Sequence, residues 1–182
     1  MKLFKKLMAV ALAGAMALTV LTGCGGALNK ADLIELLNDA MQGKITFTDA
    51  GAKQADAVIE LLQTKYNQAS AEEKETFDPR EVLFGENANE NEVKKELRGA
   101  LGISETEKDT YSIGVGQVKN YNSKYAKENQ TALLFMSMMK NGSKNMTVLG
   151  GSGIVSDHAT ISVDYVTFGD AEYFVIVERN IA

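Results

Sequence analysis

Near the end of this 182-residue chain, Tyr173-Phe174-Val175-Ile176-Val177 is apolar at every position. A strand with one face in water alternates apolar and polar residues. An unbroken run of β-branched and aromatic side chains therefore describes a central strand covered on both faces. Upstream, Ile161, Val163 and Tyr165 alternate with Ser162 and Asp164, and Gly169-Asp170 between the two runs supplies a turn. The two segments form an antiparallel hairpin, whose second strand requires helices on at least one side.

Those helices are present as periodic stripes. Leu33, Leu36, Leu37 and Ala40 recur at helical spacing behind Asn29, which offers an N-cap, with a stop near Gly43. Ile45-Thr46-Phe47 reads as extended. Ala55, Val58, Ile59, Leu62 and Tyr66 mark a second helix out to Gln68, with Thr48 or Asp49 as its cap. Residues 70–109 are charged and hold the sole proline, Pro79, with short helical patches at 72–77 and 92–101. The oxygen-rich fragment 85–92 lacks the spacing of a calcium loop and reads as a solvated loop that caps the next helix. Tyr111, Ile113 and Val115 alternate with Ser112, Gly114 and Gly116, the pattern of a half-buried strand with glycines where another backbone comes close. A further helix over 123–140 carries Leu133, Leu134, Phe135, Met136, Met138 and Met139, and Asn141-Gly142 ends it. The methionines read as core, with a soft ligand pocket as the alternative. Leu149-Gly150-Gly151-Ser152-Gly153 precedes a strand and lacks the Lys-Ser/Thr of a phosphate loop, so it reads as a flexible loop. The fold class expected is α+β: a single α-β-α layered domain over residues 29–182, with an antiparallel sheet ending in the C-terminal hairpin.

The N-terminus has a different character. Lys2, Lys5 and Lys6 form a basic region, residues 7–20 are uncharged and rich in Ala, Leu, Val and Met, and small residues precede Cys24. That is the layout of an export signal, and its apolar run falls short of the roughly 20 residues that a membrane-crossing helix needs. Leu21-Thr22-Gly23-Cys24 resembles the lipobox of bacterial lipoproteins. The resemblance implies a signal peptide over 1–23, diacylglyceryl transfer to the Cys24 sulfur and a lipidated N-terminus on a short tether over 24–28. The expected localisation is a cell membrane, with the protein lipid-anchored on the extracytoplasmic face. The expected membrane partner is the bilayer itself, held through lipid on Cys24.

Removing residues 1–23 strips three lysines and no acids, so the mature chain is three units more negative than the net −5 of the whole. An acidic surface argues against a nucleic-acid partner, which needs clustered basic residues to neutralise phosphates. It equally disfavours peripheral attachment to anionic headgroups. Cys24 is the one cysteine. Once it carries lipid, no thiol is left for a disulfide, a thiolate metal site or a nucleophile, and the fold stands on packing alone.

His158 is the one histidine. Ser152 or Ser156, with Asp157 or Asp164, could be written beside it as a hydrolytic triad, but no Gly-x-Ser-x-Gly elbow occurs. No His-x-x-x-His spacing supports a zinc site.

Three further places carry a family resemblance: Leu33-Ile34-Glu35-Leu36-Leu37-Asn38 with Phe47-Thr48-Asp49; Gly116-Gln117-Val118 with the helix ending Met136-Ser137-Met138-Met139-Lys140-Asn141-Gly142-Ser143-Lys144; and His158-Ala159-Thr160-Ile161-Ser162-Val163-Asp164 with Glu172-Tyr173-Phe174-Val175-Ile176-Val177. In order, they resemble the opening helix, the Gly-Glu-Asn-Ile segment and its following helix, and the closing strands of the CAP superfamily, the cysteine-rich secretory, antigen 5 and pathogenesis-related group. A second register places that segment at Gly85-Glu86-Asn87-Ala88 and a family strand at Ile113-Gly114-Val115-Gly116. The resemblance implies an exported α-β-α sandwich with a cleft, for which Gln117, Ser143 and His158 are the candidate residues. Gln117 replaces the family's glutamate, Ser143 a histidine and Met136 the tryptophan. The family's divalent-metal cavity is therefore not carried over, and neither a metal nor a cofactor is expected. EDTA is expected to leave the melting temperature unchanged. The expected function is a non-enzymatic binding or interaction domain of the cell envelope, with a small-molecule or envelope ligand. An envelope hydrolase using His158 with a serine, and a structural envelope protein, are the alternatives.

Overall fold

The computed structural model describes residues 30–118, 127–141, 144–151 and 157–181; the expected export signal, Cys24, the expected tether and the Asn29 cap lie outside them. The described chain runs α1 (Lys30–Met41), β1 (Thr46–Asp49), α2 (Lys53–Gln68), α3 (Ala71–Glu75), α4 (Pro79–Phe84), α5 (Glu90–Leu101), β2 (Thr110–Val118), α6 (Lys127–Asn141), β3 (Met146–Gly150), β4 (His158–Phe168) and β5 (Ala171–Asn180). The strands form one sheet in the order β1-β4-β5-β2-β3.

β5 is the central strand, as its unbroken apolar run requires. Tyr173, Val175 and Val177 face a core built with α2, α4 and α5, whereas Phe174 and Ile176 face a second core built with α1 and α6. Helices thus cover both faces of the sheet, and the class is α+β. β4 and β5 form the expected hairpin through Gly169-Asp170. Gly169 has φ +56°, the left-handed value that the first position of a tight two-residue turn favours. The sheet is mixed, because β1 runs parallel to β4 at the edge. Everything from α2 to β3 lies between those two strands in sequence, so no hairpin imposes the antiparallel direction.

Three local readings change. Thr48 and Asp49 do not cap α2; both belong to β1, and Asp49 Oδ1 accepts instead from the Gly51 N–H at 2.8 Å. The α2 cap comes from the sheet: the buried Ser162 hydroxyl accepts the Ala55 N–H at 3.0 Å. A tertiary partner 107 residues away thus satisfies one of the N–H groups that a helix start leaves unpaired. The 70–109 stretch contains an additional helix, α4, capped by Asp78 with Pro79 in its first turn. Leu149 and Gly150, read as the start of a loop, are instead the end of a strand, Met146–Gly150. The loop at 85–89 does cap α5, with the Asn89 side chain accepting the Glu92 N–H at 3.4 Å.

β2 is buried on both faces over most of its length, not half-buried. The side chains opposite Gly114 and Gly116 are Ile176 and Phe174. A Cβ on Gly114 would stand 3.2 Å from both Ile176 Cγ2 and Met138 Sδ. The glycines make room for neighbouring side chains, and those chains supply the apolar cover that the strand's own letters lack.

The free edge of β1 is closed by one side chain. Asn38 of α1 donates through Nδ2 to the Phe47 carbonyl at 2.9 Å and accepts the Phe47 N–H at 2.6 Å, as a neighbouring strand residue would. Asn38→Ala should lower stability by about 1–3 kcal/mol in urea denaturation, because both Phe47 groups lose their partner at once. An unchanged urea midpoint would mean that solvent replaces both bonds.

Candidate functional site

β3 pairs with β2 only over Thr110–Gly114, whereas β5 accompanies β2 to Val118. Where β3 stops, a cleft of about 430 Å³ opens against the β2 edge. Its lining straddles that edge. On one side are Gly116 and the α6 residues Gln130, Leu133, Leu134 and Met138; on the other are Gln117, Arg80 and Asn145. Leu133 and Leu134 are 36% and 37% exposed, although both are large and apolar. Helical geometry explains this: Ala132, Phe135 and Met138 form the stripe that α6 buries, and the leucine doublet falls beside it. Met138 both packs in the core and lines the cleft, joining the two readings of the methionines.

Arg80 is the one charged lining residue among those described, and it is already matched. Its guanidinium grips Asp78 through Nε at 2.9 and 3.1 Å and through Nη2, and it lies 5.7 Å from the centroid of the Tyr173 ring. Burial works to raise the Asp78 pKa, but the hydrogen bonds from Arg80 outweigh it and hold the carboxyl below its ordinary value. Asp78 in turn raises Arg80. The pair stays ionised and mutually neutralised, with only a long 3.5 Å contact from Arg80 Nη2 to Gln117 Oε1. The rest of the lining is an apolar wall and the carboxamide residues Gln117, Gln130 and Asn145, each of which carries donors and an acceptor.

Two other hollows are less suited to a ligand. One of about 240 Å³ lies among Leu83, Val93, Lys144 and Met146. The other, about 710 Å³, is a more open trough in which Phe77 and Val82 alternate with Lys65, Glu73, Asp78 and Glu81, so that it encloses a small molecule less.

Of the three predicted cleft residues, the two that are described, Gln117 and His158, do not come together. Gln117 lines the edge cleft, and Ser143 lies outside the described residues. His158 sits at the opposite end of the sheet. Gln117 is level with Tyr173 of β5, and Ala159, next to His158, is level with Asn180; seven strand steps separate them, about 23 Å. His158 is 70% exposed and 3.7 Å from the equally exposed Asp157. Asp164 is six residues further along the same strand, about 20 Å away, so it is not a triad partner for His158. Ser152 and Ser156 lie outside the described residues. Among the described residues no three His, Cys, Asp or Glu side chains gather as metal ligands would. Sequence reasoning missed Arg80, Gln130, Leu133, Leu134 and Asn145; the leucine doublet off the α6 stripe was the available signal.

Two polar clusters elsewhere have structural explanations. At the start of α6, Thr131 Oγ1 lies 3.1 Å from the Tyr165 hydroxyl, and Lys127 Nζ sits 4.2 Å from the centroid of the Tyr165 ring and 3.1 Å from Glu172. Burial pushes the Tyr165 phenol up to about 12, against an opposing hydrogen bond from Thr131. It is therefore a neutral hydrogen-bonding group and not a base.

Glu178 of β5 is buried on the α1/α6 side of the sheet. Burial raises its pKa above the ordinary 4.5, against a lowering bond from Ser112. Ionising it therefore costs more in the folded chain than in the unfolded one. The favourable contribution is complete below about pH 4.5, is lost as pH rises from there through the folded-state value, and is absent at neutrality. Glu178→Gln removes the charge and keeps an acceptor for Ser112. It should raise the melting temperature near pH 7 and make no difference near pH 4. An equal change at both pH values would show that charge is not the cause.

No family model, curated protein or solved structure matches this chain.

Proposed function

We propose that this chain is a non-enzymatic binding protein, lipid-anchored through Cys24 on the extracytoplasmic face of a membrane, whose cleft at the β2 edge takes an uncharged ligand of the cell envelope. The observation that carries the binding role is the cleft's composition: Leu133, Leu134 and Met138 on one wall, three carboxamides, and a single cation already neutralised by Asp78. Apolar walls with a few convergent polar groups are the general form of ligand sites. A charged ligand would lose its hydration here without meeting an unmatched opposite charge. The membrane part of the proposal is supported by the lipobox resemblance, and a divergent CAP-like ancestry by the order of the segments quoted above.

N-acetyl-leucine amide is a minimal neutral probe with one apolar side chain and two amides. In methyl-labelled full-length protein held in detergent micelles, it should shift the Met138, Leu133 and Leu134 methyl signals saturably. Leu134→Arg should abolish the effect while leaving the melting temperature within a few degrees. Shifts that are absent, or equal in the variant, would remove the cleft from consideration.

A further inference from the structure

We infer that the ligand is an extended, uncharged stretch of polypeptide, which adds to the outer edge of β2 as one more short strand in line with β3; the inference rests on the binding role proposed above. β2 has a partner on each side over Thr110–Gly114, and beyond Gly114 the pairing with β5 alone continues, to Val118–Glu172. The last bond on the outer side is from the Val115 N–H to the Asn145 carbonyl, 3.2 Å. Residues of an antiparallel strand alternate the neighbour to which they direct both main-chain groups. Val115 bonds outward, so Gln117 also directs its N–H and C=O outward, while Gly116 and Val118 turn theirs to β5.

Among the described residues no strand pairs with Gln117 on that side. The cleft floor therefore presents one donor and one acceptor at strand spacing, the complement of a single residue in an extended chain. Such strand addition obtains its affinity from main-chain bonds and its selectivity from alternate side chains.

The walls fit the same occupant. Successive side chains of a strand point to opposite faces. The residue across from Gly116 would meet Leu133, Leu134 and Met138, and the residue across from Gln117 would lie on the side of Arg80 and the Gln117 amide. An apolar residue flanked by uncharged polar ones matches both sides, and the Asp78–Arg80 pair leaves no net charge to recruit an ionic group.

The test is a capped, fluorescein-labelled heptapeptide with leucine at its centre and threonine elsewhere, followed by anisotropy against the full chain in detergent micelles. Single N-methylation of the peptide removes one donor at a time. Methylating the leucine nitrogen, which faces away from β2, should change affinity less than threefold. Methylating the nitrogen of at least one adjacent residue should weaken binding tenfold or more. Equal tolerance at all positions, or equal loss at all, would overturn strand addition; if N-acetyl-leucine amide still shifts the cleft methyls, the binding role stands without it. If neither probe binds, both readings fall together.

Discussion

Phe174→Ala should destabilise the domain by about 3–5 kcal/mol, the cost of emptying a fully buried aromatic site. Gly116→Ala should cost about 1–3 kcal/mol through overpacking. Combined, the two should cost clearly less than their sum. Phe174 is 0% exposed and lies directly across from Gly116, on the face shared with α1 and α6. A Cβ on Gly116 would collide with the Phe174 ring edge and stand 3.2 Å from Met138 Cε. With the ring gone, the added methyl enters space that is now empty, so its penalty falls and part of the cavity is filled. The coupling should therefore be about 1 kcal/mol or more, within the range measured for residues in contact. Urea denaturation of the four chains reads it directly. Strict additivity would mean that ring and methyl do not compete for the same space, and that the Phe174 ring is not what covers β2 at Gly116.

That pair also explains why β2 was hard to read. Its letters alternate apolar residues with serine and glycine, which is the signature of a strand wet on one face. The missing apolar mass is contributed by Phe174, Ile176 and Met138, from elements distant in sequence. Where a residue supplied its own burial, the pattern was legible: Ala55, Val58, Ile59 and Leu62 of α2 are all in the core, and so is the whole β5 run. The α2 cap was not legible, because Ser162 belongs to another element. β3 was obscured by its length of five residues and by the glycines at its end; Gly150, its last residue, and Gly151 have φ +74° and +73°. α4, by contrast, carried a plain start signal in Asp78-Pro79.

The site divides in the same way. Gln117 was named through a resemblance, as the residue standing where a family segment has glutamate, and it does line the edge cleft. Its neighbours in the cleft come from α4, α6 and the lead into β3, and only pairing register assembles them. His158 attracted attention as the sole histidine, yet register puts it at the far end of the sheet. Chemical rarity in a sequence says nothing about position.

Cys24→Ser should move the protein from the membrane fraction to the soluble extracytoplasmic fraction and abolish labelling by a radioactive fatty acid. A single acyl chain gives only marginal attachment, with an association constant of about 10⁴ M⁻¹, whereas two chains hold a protein stably at about 0.8 kcal/mol per buried CH₂. The lipobox reading gives Cys24 the diacylglyceryl group, so one substitution removes both chains. Among the described residues no other feature then compensates. A chain cleaved before Cys24 would be more negative than the whole, whose net charge is already −5, so anionic headgroups would repel it. Among the described residues no helix is long and apolar enough to cross a membrane. The exposed Leu133 and Leu134 are too small a patch to substitute for two acyl chains. Label lost with membrane association retained would point instead to residues 7–20 acting as an uncleaved anchor. In that case the cleft would still face the envelope, held by peptide in place of lipid.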